Sequence, residues 1–440
     1  MNMNQIMHLK WWLLFFVLTF TLSAQATLRI EHWQTSDGSQ VYFVENHDLP
    51  MIDVSTNFSA GSAYDRMGKS GVASITRYMM SLGAAGMTED AISKRLADSG
   101  ALMSGDFDLD RSSLSLRTLS SQSERDLALD IYLNILQKPD FPETVLAREK
   151  TRIISALKES ATQPESIANK AFMKALYGNH PYAFDGNGEP ETVIAIKRQE
   201  LIDFYETHYQ AKNAVIALIG DMTNEEARRL AEKISSGLPK NSANEQIAPV
   251  SYPDSASEQR IPHPATQSHI LLGYPGIKRG DPDYFPLYVG NYVLGGGGFV
   301  SRLTEEVREK RGLVYSVYSY FMPMAELGPF QIGLQTKKEQ SESALKVVHE
   351  TLDKFIQDGP TEAELIAAKQ NILGGFPLRI DSNSKILDYL SVIGFYKLPL
   401  TYLDDFNKKV SEVTTAQIKE AFNRRIKTDK LVTVIVGGSQ

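Results

Sequence analysis

Hydrophobic and polar positions recur along this chain with two periods, and the switches between them mark its elements. From Leu28 to Phe58 the period is two. LRIEHWQT, QVYFVENH and IDVSTNFSAG read as strands, with turns at Gly38 and at 47–50. The period then lengthens, and Gly71 to Leu82 and Glu89 to Ser99 read as helices. Alternation returns in LMSGDFDLD and SSLSLRTL. Helical spacing follows from about Glu124 to Leu136, Pro142 to Ser160, Ser166 to Tyr177 and Arg198 to Tyr209. An apolar strand, Ala214 to Asp221, and a helix, Asn224 to Ser235, close this half.

Residues 237–264 lose both periods. They carry five prolines among Ser, Asn, Gln and Glu, and read as an interdomain linker. The pattern then restarts. It runs through a strand at His269–Tyr274, helices at Tyr284–Leu294 and Ser301–Lys310, and strands between Val314 and Gln335. Long helices at Glu339–Gln357 and Thr361–Leu373, a helix at Thr415–Ile426 and the strand LVTVIVGG complete it. FYETHYQAKNAVIALIGD, at Phe204–Asp221, resembles AFNRRIKTDKLVTVIVGG, at Ala421–Gly438: a helix, a basic turn, and an apolar strand running into glycine. The economical reading is one α+β unit in two copies, 27–236 and 265–440, each a mostly antiparallel sheet packed with helices.

Composition narrows the function classes. The chain has 440 residues and a net charge of −7, with no Lys/Arg cluster, which argues against a nucleic-acid partner. Residues 1–26 read as a secretory signal: Lys10, then the apolar run Trp11–Leu22, then Ala24-Gln25-Ala26. At about a dozen residues the run is short for a membrane span of about 20. Cleavage is therefore expected, leaving a mature chain from Thr27 without a stable membrane anchor; the alternative is an uncleaved anchor. There is no cysteine, so neither disulfides nor thiolate metal sites enter. A cysteine-free exported chain suits a bacterial periplasm.

The candidate chemistry sits in Tyr292–Phe321. Four glycines, Gly295–Gly298, precede Phe299, Leu303, Val307 and Leu313 near helical spacing, and then an alternating run. Arg308 and Tyr315, seven apart, fall near the helix end and the strand start. Spacing alone makes them a solvated charge and a packed aromatic. The glycines by themselves allow a phosphate cradle or a close-packing turn. The continuation Phe299-Val300-Ser301 lacks the Gly-Lys-Ser/Thr of a P-loop.

Taken with AGSAYDRMGKSGVASITRYMMSLG, at Ala60–Gly83, and YGNHPYAFDGNG around His180, this stretch resembles the M16 (pitrilysin-like, inverted zincin) peptidase family. The resemblance implies paired α+β domains. It implies a glycine loop, Gly296, Gly297, Gly298 and Phe299, touching substrate, with Arg308 and Tyr315 reaching the substrate backbone. The family's peptidases carry His-x-x-Glu-His, two zinc ligands and the group that activates water. Here the motif positions are Ser74, Arg77 and Tyr78. A third ligand would fall near Ser155 or Ala156, with Glu159 a turn further on. A guanidinium about 4 Å from a metal ion repels it by roughly 4 kcal/mol per unit charge at an effective dielectric of 20. None of the histidines of the mature chain pairs with another at i, i+4. No metal or other cofactor is therefore expected in this chain.

The pattern resembles the zinc-less half of the two-subunit M16 peptidases. That implies a homologous HxxEH-bearing partner holding the zinc, a peptide substrate in a shared cleft, and inactivity of this chain alone. The alternative is a non-enzymatic peptide-binding or scaffold protein of the same fold.

Overall fold

The computed structural model describes residues 28–240 and 245–437, so the expected secretory signal lies outside the described residues. In the first half, β1 (Glu31–Gln34), β2 (Gln40–Glu45) and β3 (Met51–Phe58) precede a two-stranded ribbon, β4 (Gly83–Ala84) and β5 (Met87–Thr88). β6 (Leu102–Ser104), β7 (Ser112–Leu119) and β8 (Val215–Gly220) follow. The second half contributes β9 (Ser257–Ile261), β10 (Gln267–Pro275), β11 (Val314–Phe321), β12 (Pro329–Lys337) and β13 (Val432–Val436).

The first sheet has the order β1-β2-β8-β3-β7-β6 and the second β9-β13-β10-β12-β11. In each, one pair is parallel, β2 with β8 and β9 with β13, and the other neighbours are antiparallel. From β2 onward the two orders match strand for strand, so the sheets are two copies of one α+β unit. The first half of this repeat is longer by β1.

One part of the expected linker is a strand. Ser257–Ile261 is β9, the counterpart of β2. It lies at the sheet edge and is exposed over most of its length, so it needs no apolar face and shows no alternation. Two further helices, Asn383–Phe395 and Tyr402–Glu412, occupy residues that the sequence pattern left unassigned.

The helix Asn383–Phe395 does not cover its own sheet. It packs on β8, β3 and β2 of the first half, burying Ile386, Leu387, Leu390 and Ile393 in one core with Tyr42, Val44, Val215, Ala217 and Ile219. Burial of this kind stabilises by roughly 1.5–3 kcal/mol per large aliphatic side chain. Reciprocally, the helix Pro164–Tyr177 of the first half packs on β10 and β13, joining Phe172 and Leu176 to Leu271, Val432, Val434 and Val436. Glycines admit both crossings. A Cβ on Gly394 would stand 2.4 Å from Val215 Cγ1, and one on Gly273 would stand 2.5 Å from Phe172 Cζ.

Polar contacts complete the junction. The buried carboxylate of Asp110 accepts hydrogen bonds from Tyr182 Oη (2.6 Å), Tyr396 Oη (2.9 Å) and the Ala325 backbone N–H (2.7 Å). Asn57 Nδ2 donates to Ser391 Oγ at 3.1 Å. His180, in the His-Pro-Tyr turn, is structural: Nδ1 accepts from the Tyr182 N–H, and Nε2 donates to the Ala248 carbonyl.

Candidate functional site

The glycine run is a widened turn. Backbone bonding shifts to the i→i+5 pattern over Tyr292–Gly296, at the end of the expected helix, which is regular over Tyr284–Asn291, and again over Thr304–Glu309, in place of the second regular helix expected there. Such widened turns concentrate at functional sites. Three of the glycines serve close packing. Added Cβ atoms would stand 2.4 Å from Ser319 Oγ at Gly295, 2.7 Å from Asn291 Nδ2 at Gly296 and 2.7 Å from the Tyr292 carbonyl at Gly297. Gly298 differs: its surroundings are open, and it is required by its φ of +62°.

That turn pushes Phe299 and Val300 into solvent, 72% and 75% exposed. The guanidinium of Arg308 lies 5.0 Å from the centre of the Phe299 ring, a cation–π contact, and 3.6 Å from Glu309. The helix end is tied to the next strand through Gly312 N–H to Arg308 O and Leu313 N–H to Val307 O.

Tyr315 follows at once. The register of β11 against β12 slips between Val314, opposite Thr336, and Ser316, opposite Gln335. Tyr315 is the extra residue of this β-bulge, and its side chain is 60% exposed. Bulges re-aim side chains at sheet edges, and β11 is an edge strand. Phe299, Arg308 and Tyr315 thus emerge from one short stretch on the second half.

The Ser74, Arg77 and Tyr78 positions are on the helix Val72–Met79 of the first half. They are put to internal use. Ser74 Oγ donates to the Gly71 carbonyl. Arg77 donates from Nε to Ser113 O (2.5 Å) and from Nη2 to Ser104 O (3.1 Å), clamping β6 to β7; burial pulls its pKa down. Arg152, on the facing helix Glu143–Ser160, lies with its guanidinium 5.1 Å from the centre of the Tyr78 ring. Beneath it Glu149 is buried, with one carboxylate oxygen on Arg148 (2.8 Å) and the other on Arg152 (2.7 Å). Burial pushes the Glu149 pKa up, but the bonds from Arg152 and Arg148 outweigh it and hold the carboxyl below its usual value. Ser155 and Ala156 are exposed, and neither offers a carboxylate.

Sequence reading missed Glu149 and Arg152, because their proximity to Tyr78 is made by helix packing across the first half. Among the described residues, no group of three or more His, Cys, Asp or Glu could hold a metal ion.

Comparisons with known proteins meet this geometry. Residues 41–185 match the family model described as Insulinase (Peptidase family M16), and residues 195–372 the one described as Peptidase M16 inactive domain. The chain also superposes on the crystal structure of a peptidase M16 inactive domain from Pseudomonas fluorescens. The TM-score is 0.91 and the identity 39%, over 94% of this chain and 99% of that one. The chain belongs to peptidase family M16. A further relative, the non-peptidase homolog YmxG of Helicobacter pylori, is 26% identical over 404 residues, 91% of this chain and 92% of that protein. A protease structure from the same organism matches with TM-score 0.85 at 20% identity, over 93% and 99% of the two chains, which speaks for the fold alone.

The zinc of active M16 peptidases does not fit here. A hydroxyl, a guanidinium and a phenol occupy the motif, and the nearby carboxylate of Glu149 is consumed by two arginines. This is an M16 member without a peptidase site of its own.

Proposed function

We propose that this chain is the zinc-free subunit of a periplasmic, two-chain M16 peptidase, closing over a peptide substrate with a homologous HxxEH-bearing partner. The observation that carries this reading is a contrast within the molecule. On the helix Val72–Met79, Ser74 and Arg77 are absorbed into internal hydrogen bonds, and Tyr78, though 39% exposed, lies against Arg152. Phe299, Val300 and Tyr315 instead stand 60–75% exposed, and Arg308 stacks on the Phe299 ring. Phe299 and Val300 are exposed side by side on one loop, and contiguous exposed apolar groups, unlike single ones, mark interaction surfaces.

In the complex the metal and its activated water belong to the partner. This chain contributes Tyr315, whose phenol O–H donates to the scissile carbonyl oxygen as charge develops on it, and Arg308, which holds a substrate carbonyl. Gly296, Gly297, Gly298 and Phe299 form the wall that the peptide passes. The expected cleaved signal at 1–26 and the absence of cysteine support the periplasmic placement.

The test is Tyr315→Phe in the reconstituted pair. Phe keeps the ring and removes one donor, so kcat should fall by about 10²–10³ with KM and thermal stability nearly unchanged. Arg308→Ala should mainly raise KM. Near wild-type kcat for Tyr315→Phe would sink the shared-site mechanism. The second reading, a scaffold or peptide-holding protein without turnover, would then stand. Its support is the stacking of Arg308 on Phe299 within the chain and the non-peptidase name of the H. pylori relative.

A further inference from the structure

A cavity of about 380 Å³ opens in the second half and shares no lining residue with the glycine loop, Arg308 or Tyr315. Its size suits a small ligand. The turn at 279–282, the helix Tyr284–Asn291 and the helix Tyr402–Glu412 form its walls, with Phe285, Leu398 and Val413 among the apolar lining.

One lining group has no internal partner that accounts for it. Arg279 stacks its guanidinium over the Tyr396 ring, 5.1 Å from the centre, yet its Nε is buried with no hydrogen-bond partner. No ion pair forms on Arg279 among the described residues. The neighbouring carboxylates are taken: Asp281 by Arg425 (2.7 Å), and Asp283 by Arg425 (2.7 Å) and Arg424 (2.6 Å). A second cation, Lys409, lies 5.4 Å from the Phe285 ring centre in the same lining. Glu412 is exposed and lies 4.0 Å from Lys408. Tyr284 and Tyr402 also line the cavity, and burial raises both of their pKa values. The cavity therefore joins apolar walls to a partly buried guanidinium that has no anion among the described residues of the chain.

We propose that this cavity binds an apolar carboxylate: an aromatic or branched aliphatic group bearing one carboxylate, held by Arg279 with Lys409 beside it. A free small acid and the C-terminal residue of a peptide present the same chemistry. The proposal is independent of any peptidase partner.

Calorimetric titration of the purified chain tests it, using N-acetyl-phenylalanine and N-acetyl-phenylalaninamide, which differ in the charge. The acid should bind, and the amide should bind about tenfold or more weakly. Arg279→Gln should lose the same factor for the acid. Leu398→Trp, which fills the space without touching the charge, should abolish binding, and this variant keeps the test available if Arg279→Gln does not fold. A hexapeptide ending in free phenylalanine that binds as well as the acid assigns the site to peptide C-termini; binding of the acid alone assigns it to small acids. No binding of the acid at about 10 mM, far above the range of specific sites, overturns the proposal. So does equal binding of acid and amide, or unchanged binding in Arg279→Gln.

Discussion

Arg77 shows how a position that elsewhere serves catalysis becomes structural. Its guanidinium spans from Ser113 O to Ser104 O, across two strands whose pairing is only three residues long. Arg77→Leu removes charged donors from two carbonyls and should lower stability by about 2–4 kcal/mol. Gly105→Ala should do comparable damage, since a Cβ there would meet Arg77 Nη2 at 2.4 Å and Ser113 O at 2.2 Å. Denaturant midpoints at unchanged slope would register both. A change below about 0.5 kcal/mol for Arg77→Leu would mean that the clamp has no weight. At this scale the sequence was informative where a residue departs from a known motif, as Ser74, Arg77 and Tyr78 do. It was silent on Glu149 and Arg152, whose meeting with Tyr78 is tertiary. The bulge at Tyr315 was equally hidden, because an alternating run reads the same with or without one extra residue.

Among the elements, the two exchanged helices decide most. In the helix Asn383–Phe395, Gly394 crosses β2 and β8 so closely that a Cβ would lie 2.4 Å from Val215 and 2.6 Å from Tyr42. Gly394→Ala gains about 1 kcal/mol of helix propensity. It should nevertheless destabilise by a net 1–3 kcal/mol or so, because overpacking forces the sheet and helix apart. Thermal unfolding measures the sign, and a stabilised variant would contradict the crossing described above. This helix went unread in NSKILDYLSVIGF because Ile386, Leu387, Leu390 and Ile393 are buried while Tyr389 and Val392 are half-buried, which leaves a weak polar face. β9 escaped for the opposite reason, having almost no apolar face. The long helices and the central strands were legible, since each buries one clear stripe or both faces.

For the whole molecule, Asp110 is the polar hinge-pin between halves, with Tyr182, Tyr396 and Ala325 all donating to it. Burial raises its pKa above the unfolded value of 3.8. The sign follows: the folded state keeps the proton longer, so this group's contribution is fully present below the unfolded pKa and is lost as pH rises through the folded one. Asp110→Asn cannot titrate. The stability advantage of the wild type over Asp110→Asn should therefore be largest below the unfolded pKa of 3.8 and narrow as pH rises above it, as urea unfolding across a pH series would show. A gap that widens with pH would refute the assignment. The two-copy architecture was visible in the repeated helix–turn–strand ends. The reciprocal covering of the sheets was not, since nothing local tells a helix which sheet it will cross.

That reciprocal covering also sets an order of events during synthesis. The first sheet is complete once β8 has been made. Its missing cover, Asn383–Phe395, follows only after β9 to β12 have emerged. Until then Val44, Val215, Ala217 and Ile219 face a surface with no helix on it. A chain built this way spends much of its synthesis as a half-closed core, and such exposed apolar sheet is what chaperones capture and what aggregates. The core on this face of the first sheet closes only once Asn383–Phe395 has been made.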